Sequence, residues 1–514
     1  MKVSVVVPVY NPGRDIDDCV RSLLDQSLPA SDYEAIFVDD GSTDATPARL
    51  DELAAEHANV RVEHIPNSGW PGRPRNVGIE LASGDYVYFV DNDDWIGREA
   101  LERMHAMAQS DGADIVIGKV VGHGKSVPRN LFRRNRSGVD LEWDALLWLL
   151  TPHKLWRRDF LDAHALRFPE GRRRLEDHVF VMRAYFSSPS ISVLADYPCY
   201  HWVLRDREVN ASWGYLDPVS YFANMREVLD VVDAHTEPGP FRDRLYARWY
   251  RGKMLNRVEK VLSNPDLERR RALYVAMHEL AVERFPESVD ARLPFNMAQR
   301  SRLLRAGDFD ALAALAELER GLRAQARAVA VRQADGVVEL ELEAEVEGLR
   351  FERAGEQLTW RGADATHSLL RGSTVQLLLK RRSSQEEYRV PAHAELRLVD
   401  TQSTSSTGTG EPGGELRAVV VASARVDGTT AAAGAALAPG PWELHAIVIV
   451  AGFRASVRVR RDRGAEHLML AVGPDGRVSA RRPGWRRNLR RRMPRPLVRA
   501  IREAQRVVRR RARG

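Results

Sequence analysis

The stretch YVYFVDNDDW, residues 86–95, decides the fold. Tyr86–Val90 run apolar without alternation, the pattern of a strand buried on both faces. Asp91, Asn92, Asp93 and Asp94 then end it abruptly. Burying four polar groups is costly unless something neutralises them. A divalent cation carrying a diphosphate does so, because Mg²⁺ and Mn²⁺ favour oxygen ligands. Capping the helix that starts near Arg98 needs one carboxylate, not three.

The same pattern repeats outward from this stretch. Val3–Val9 reads as a first buried strand. Lys2 and the valines after it look superficially like a secretion signal, but the apolar run is only about seven residues, contains Pro8 and meets an Asn11-Pro12-Gly13 turn. Ile16, Cys19, Val20, Leu23 and Leu24 recur at helical spacing. Tyr33–Val38 is a second strand ending in Asp39-Asp40-Gly41-Ser42, and Pro47 suits the first position of the next helix. Val60–Ile65, a helix around Arg75–Ala82 and a strand at Asp114–Val121 complete the alternation. It predicts an α/β domain with a mostly parallel sheet covered on both sides. In such sheets ligands bind at the carboxyl ends of the strands, where these acids gather.

Residues 140–215 continue that domain with mixed structure. Helices dominate from about 218 to 325, with Leu245, Trp249, Met254, Leu255 and Val258 as an apolar stripe and Asp308–Arg327 as the clearest helix. Val337–Val346, Val375–Leu379, Glu395–Leu398, Arg417–Val421, Leu444–Val450 and Ala455–Val459 are short runs bounded by turn residues, as in a β-sandwich. Thr401–Gly414 reads as a long loop within it. The expected boundaries are 1–217 for the α/β domain, 218–328 for a helical linker, 329–480 for the Ig-like sandwich and 481–514 for a tail.

The net charge of +6 over 514 residues hides an asymmetry. Residues 481–514 hold 15 arginines against Glu503, or +14, which leaves −8 for the rest. Leu497, Ala500, Ile501, Ala504, Val507 and Val508 follow helical spacing there, so the tail reads either as a basic amphipathic helix suited to an anionic membrane surface or an anionic polymer, or as a disordered solubilising segment. Nucleic acid would be attracted only non-specifically. No apolar run approaches the roughly 20 residues that span a bilayer. Cys19 and Cys199 form neither a disulfide framework nor a zinc cluster, which is compatible with a reducing cytoplasm.

No G-x-G-x-x-G follows the first strand; Pro8-Val9-Tyr10-Asn11-Pro12-Gly13 stands there, which disfavours a dinucleotide site. The same edge can hold a nucleobase against Pro8 and Tyr10, with Asp40 accepting from the base imide. In NSGWPGRPRN, residues 67–76, either Arg73 or Arg75 can reach a base carbonyl or a phosphate.

VSVVVPVYN, FVDDGSTD and RNVGIELASGDYVYFVDNDDW, in this order within residues 3–215, resemble the inverting family 2 glycosyltransferases of the GT-A fold. The resemblance implies that Pro8, Tyr10, Asp40, Asn67 and Arg75 contact uridine. Asp91, with Asn92 beside it, falls at the ribose-contacting position of the D-x-D motif and Asp93 at its Mn²⁺ or Mg²⁺ ligand. Leu175-Glu176-Asp177-His178 resembles the family's acidic pair, with Asp177 as catalytic base and Glu176 as a sugar or acceptor contact. Tyr200–Arg205 and Ser212 resemble the loop that closes over the donor, giving Arg205 and Ser212 the diphosphate; His201 is either a further metal ligand or a histidine packed between two aromatics. Lys154 and Trp156 fall in a segment expected to pack the acceptor side. The Q-x-x-R-W motif of processive synthases is absent.

The order of domains is similar to the wall teichoic acid glycosyltransferases. That likeness implies a UDP-sugar donor, GlcNAc foremost, a polyol-phosphate or lipid-linked acceptor and a trimer formed through the C-terminal module. It also implies a cytoplasmic protein, peripheral at the inner face of the membrane. The alternative is a non-catalytic anionic-polymer or nucleic-acid binder on a degenerate transferase fold. Against it, Asp93 and Asp177 are both present.

Overall fold

A computed structural model of the chain describes residues 1–124, 127–128, 130–142, 144–204, 217–381, 387–401, 415–432, 436–462 and 466–481. Arg205, Ser212, residues 402–414 and the tail beyond Arg481 lie outside them. The chain forms two compact units, Met1–Leu293 with Ser301–Phe309, and Pro294–Arg300 with the residues from Asp310 onward.

The first unit opens with β1 (Val3–Val9), α1 (Ile16–Leu24), β2 (Tyr33–Asp39), α2 (Thr46–Glu56), β3 (Val60–His64), α3 (Gly72–Leu81) and β4 (Tyr86–Phe89). Every residue of β1 is buried, as its unbroken apolar run requires. α3 lies so close to β1 that a Cβ on Gly78 would come 2.1 Å from Val6 Cγ1. There follow β5 (Trp95–Ile96), α4 (Ala100–Asp111), β6 (Ile115–His123), β7 (Arg136–Val139), β8 (Leu155–Arg157), α5 (Arg158–Ala163), α6 (Glu176–Ser187) and β9 (Ile191–Val203).

The strands make one sheet in the order β3-β2-β1-β4-β8-β6-β9-β5, with β7 on β9. β1 is parallel to β2 and β4, β2 to β3, and β6 to β9. β8 is antiparallel to both β4 and β6, and β5 and β7 are antiparallel to β9. The expected mostly parallel sheet therefore holds for the first four strands and for β6 with β9, and fails at β8, β5 and β7. Parallel neighbours need a long crossover, usually helical. Between β6 and β8 the chain supplies only β7 and a 3₁₀ turn, Asp144–Trp148, and it re-enters in the opposite sense. One consequence reaches the site. The start of β8 lies at the edge where β1, β2 and β4 end.

Helices α7 (Pro218–His235) and α8 (Pro240–Trp249) follow, then a π-helical turn, Tyr250–Met254. The Asp217 side chain caps α7 by accepting from Ser220 N at 2.7 Å. Leu245, Trp249, Met254, Leu255 and Val258 are all buried, as their spacing foretold. Among the described residues no helix is long and apolar enough to cross a membrane.

In the second unit the helix expected over 308–327 occupies only Phe309–Gly321. β10 (Arg323–Ala334) starts two residues later and pairs with β11 (Val337–Glu347), with Arg327 opposite Glu343 and bonded to it through Nε at 3.1 Å. Helix-forming residues at 323–327 are thus taken into the β10–β11 ladder, and the expected boundary at 328/329 falls inside a strand. An eight-stranded and a six-stranded sheet face one another. Their inward rows alternate, with Val338, Leu340, Leu342 and Ala344 on β11 and Trp442, Leu444, Ala446 and Val448 on Gly440–Val450.

Candidate active site

Three parallel strands end at one edge, and each hands over to a loop that its own side chains fasten. Asp39 turns back: its Oδ1 accepts from Ser42 N at 3.0 Å and its Oδ2 meets His64 Nδ1 at 2.8 Å. Asp40 points the other way and accepts from Ser68 N at 2.8 Å and Ser68 Oγ at 3.0 Å. Burial pushes its carboxyl up against these donors. Asn67 Nδ2 donates to the Asp40 carbonyl at 2.8 Å, so the two expected base contacts share one corner. Gly41 between them has φ +71°, and a Cβ there would lie 2.7 Å from Asn67 N. Pro8 is buried at the end of β1, while Tyr10 stands 51% exposed, free to lie against a planar ring.

The loop after β4 is held from both sides. Asp91 Oδ1 accepts from Arg75 Nη2 at 2.8 Å, and Asp91 Oδ2 meets His153 Nε2 at 3.0 Å. Burial alone would raise this carboxyl, but His153 and Arg75 outweigh it and hold it well below the usual carboxylate range. His153 comes from the start of β8, two residues before Leu155, which pairs with Tyr88. Its ring stacks on Tyr200 of β9, with centroids 4.2 Å apart. Asp94 is buried and accepts from Tyr200 Oη and from Val203 N, both at 2.7 Å. Burial first, and then the Asp91 and Asp93 charges, push it up to about 8.

Across the cleft, α6 begins with Glu176, Asp177 and His178, directly after Leu175 in the left-handed region at φ 65°. Glu176 Oε1 lies 3.5 Å from Arg75 Nη1, so one buried guanidinium bridges the loop after β4 and the first turn of α6. Burial and then the neighbouring Asp177 charge push Glu176 up to about 7. Asp177 is raised too, by burial, with Lys253 and Arg75 opposing. A carboxylate raised toward neutrality is a better proton acceptor. Lys253 belongs to the π-helical turn, and burial lowers it to about 8.

Several expectations change. Arg75, expected on uridine, is engaged by two carboxylates. His201, expected on the metal, has its Nδ1 2.9 Å from His123 Nε2 and its ring stacked on Trp95. Burial drives it down to about 4. Among the described residues, the acid and imidazole atoms that close to within 4.8 Å belong to Asp91, Asp94 and His153, a group that includes neither Asp93 nor His201. Trp156 and Lys154 are fully buried, as residues of a packing segment are. Lys154 Nζ donates to the Leu149 carbonyl at 3.0 Å and to that of Thr151, which pins the segment leading to His153. His153 and Lys253 escaped the sequence reading, which puts Asp94 in the acidic cluster and Tyr200 in the loop over the donor without a role of their own. Only the third acid after β4 gave Asp94 a local signal.

Residues 4–169 match the family described as "Glycosyl transferase family 2", and residues 218–316 match "Glycosyl transferase TarS linker domain". A poly(ribitol-phosphate) beta-glucosyltransferase of Bacillus spizizenii is 40% identical over 236 residues, which are 46% of this chain and 37% of that protein. The poly(ribitol-phosphate) beta-N-acetylglucosaminyltransferase TarP of Staphylococcus aureus is 30% identical over 241 residues, 45% of this chain and 72% of that one. The crystal structure of S. aureus TarS 1–349 in complex with UDP-GlcNAc is similar with a TM-score of 0.56 and 29% identity, covering 66% of this chain and 96% of that one. The chain spans little more than a third of the length of the B. spizizenii protein.

Proposed function

The chain belongs to glycosyltransferase family 2, and on that premise we propose that it moves a sugar, GlcNAc foremost, from UDP to a hydroxyl of a polyol-phosphate polymer with inversion at the anomeric carbon. One arrangement carries the reading: Arg75 joins Asp91, at the donor edge of the sheet, to Glu176, the residue before the base. Pro8, Tyr10, Asp40 and Asn67 frame the nucleobase corner, and Asp91 and Asn92 the ribose. Arg205 and Ser212 take the diphosphate by resemblance.

Asp177 accepts the proton of the acceptor hydroxyl as that oxygen attacks the anomeric carbon. The bond from this carbon to the β-phosphate oxygen breaks, and its electron pair leaves with UDP. The loop after β4 fits a divalent cation, because Asp91, Asp94 and His153 each bring an oxygen or nitrogen ligand atom within 4.8 Å of the others. Asp91 and Asp94, with Asp93 by resemblance, would hold Mn²⁺ or Mg²⁺. When bound, the ion neutralises charge developing on the leaving diphosphate. The same reading puts the protein at the cytoplasmic face of the membrane, with residues 481–514 against anionic lipid or polymer. It assigns trimer formation to the second unit.

The test is UDP release from UDP-GlcNAc and UDP-glucose with poly(ribitol phosphate) and Mn²⁺. Asp177→Asn is expected to lower turnover at least about 100-fold, the scale of general-base catalysis, with donor affinity unchanged. Full turnover by this variant would remove Asp177 from the mechanism.

A further inference from the structure

The first turn of α6 presents three consecutive side chains, and each is held from a different direction. Glu176 faces the donor edge through Arg75. Asp177 Oδ1 accepts from the His178 amide of its own turn at 2.9 Å. His178 faces the linker, where Trp249 Nε1 donates to His178 Nδ1 at 2.9 Å with both rings buried. An indole nitrogen only donates, so His178 Nδ1 is the acceptor and the ring proton is on Nε2. Burial, then Lys253, Arg248 and Lys154, hold His178 well below the ordinary imidazole value and keep it neutral for this role.

Two further features make the bond more than core packing. Leu175 enters α6 at φ 65°, a backbone state that a branched side chain holds only when its surroundings enforce it. Trp249 is also the last residue of α8, directly before the π-helical turn that carries Lys253 toward Asp177. Such turns occur frequently at functional sites.

We propose that Trp249 is a positioning residue for the transfer: through His178 it fixes the first turn of α6, and with it the Asp177 carboxylate. The inference rests on Asp177 as the base. It makes the helical linker a working part of the catalytic centre, although its nearest bond ends one residue away from the reacting group. A base acts only within hydrogen-bond reach of its proton, and a displacement of about 1 Å costs on the order of 100-fold.

The test uses the full chain with UDP-GlcNAc and poly(ribitol phosphate). Trp249→Phe keeps the ring and removes the donor. Turnover is expected to fall about tenfold or more while the calorimetric Kd for UDP-GlcNAc stays at its wild-type value; the Tm falls as well, because a buried acceptor loses its donor. His178→Asn sets an amide oxygen where Nδ1 stood and is expected to keep several-fold more turnover than His178→Leu. Unchanged turnover in Trp249→Phe overturns the proposal, as does turnover lost together with donor affinity. If Trp249→Phe does not fold, the His178 pair decides, and equal rates overturn it. Asp177→Asn, run in parallel, separates the two assignments. If it stays active, the base assignment falls; if it alone is inactive, only the positioning role does.

Discussion

His64 shows at one residue how the donor edge is fastened. Its Nδ1 meets Asp39 at 2.8 Å and its Nε2 meets Asp51 at 3.1 Å, which joins the ends of β2 and β3 to α2. Bonds to Asp39 first and Asp51 second raise its pKa above the ordinary imidazole value. The folded state thus favours the protonated ring. That stabilisation is complete below the ordinary value and is lost as pH rises through the higher folded one. Melting curves between about pH 6 and 8 should show wild type losing more Tm than His64→Gln, by on the order of a degree. The effect is small because the ring is 40% exposed and solvent screens the pairs. Parallel curves for the two proteins would contradict it.

Among elements, α3 against β1 is the tightest packing at the site. Gly78→Ala directs a methyl into Val6 and is expected to cost about 1–3 kcal/mol by chemical denaturation, despite alanine's better helix propensity. Val6→Ala in the same chain should return part of that loss, the coupling that a double-mutant cycle measures. Additive effects would show that α3 and β1 move apart freely. The elements that sequence made legible are those whose pattern is local: the apolar runs of β1, β2 and β4, the stripe on α8 and the alternation of β11. β8 was illegible because three residues, Leu155–Arg157, carry no periodicity, and their direction is set by the neighbours on each side. With β8 went His153. The bond from Trp249 to His178 spans 71 residues and has no local sign. Asp91, Asp93 and Asp94 stood out because chemistry rather than packing explains acids at a strand end, and Asp177 because its segment resembles the family's acidic pair. The partners that set their charge states did not.

For the whole molecule, charge is divided as sharply as structure. Beyond residue 480 the chain carries +14, against −8 before it. A chain ending at Arg481 is expected to lose most of its cosedimentation with phosphatidylglycerol vesicles at low salt, while UDP release with a short soluble acceptor stays within about twofold. Equal recovery with and without the tail would rule out membrane attachment through it. Inside the first unit a different economy operates, because one guanidinium serves two carboxylates. Whatever draws Asp91 away from Arg75, or toward it, changes what Arg75 offers Glu176. Influence of this kind is reciprocal by thermodynamic necessity. Under the proposed function Asp91 meets the donor and Glu176 the sugar or acceptor, so binding at one is expected to shift affinity at the other by the same factor in both directions.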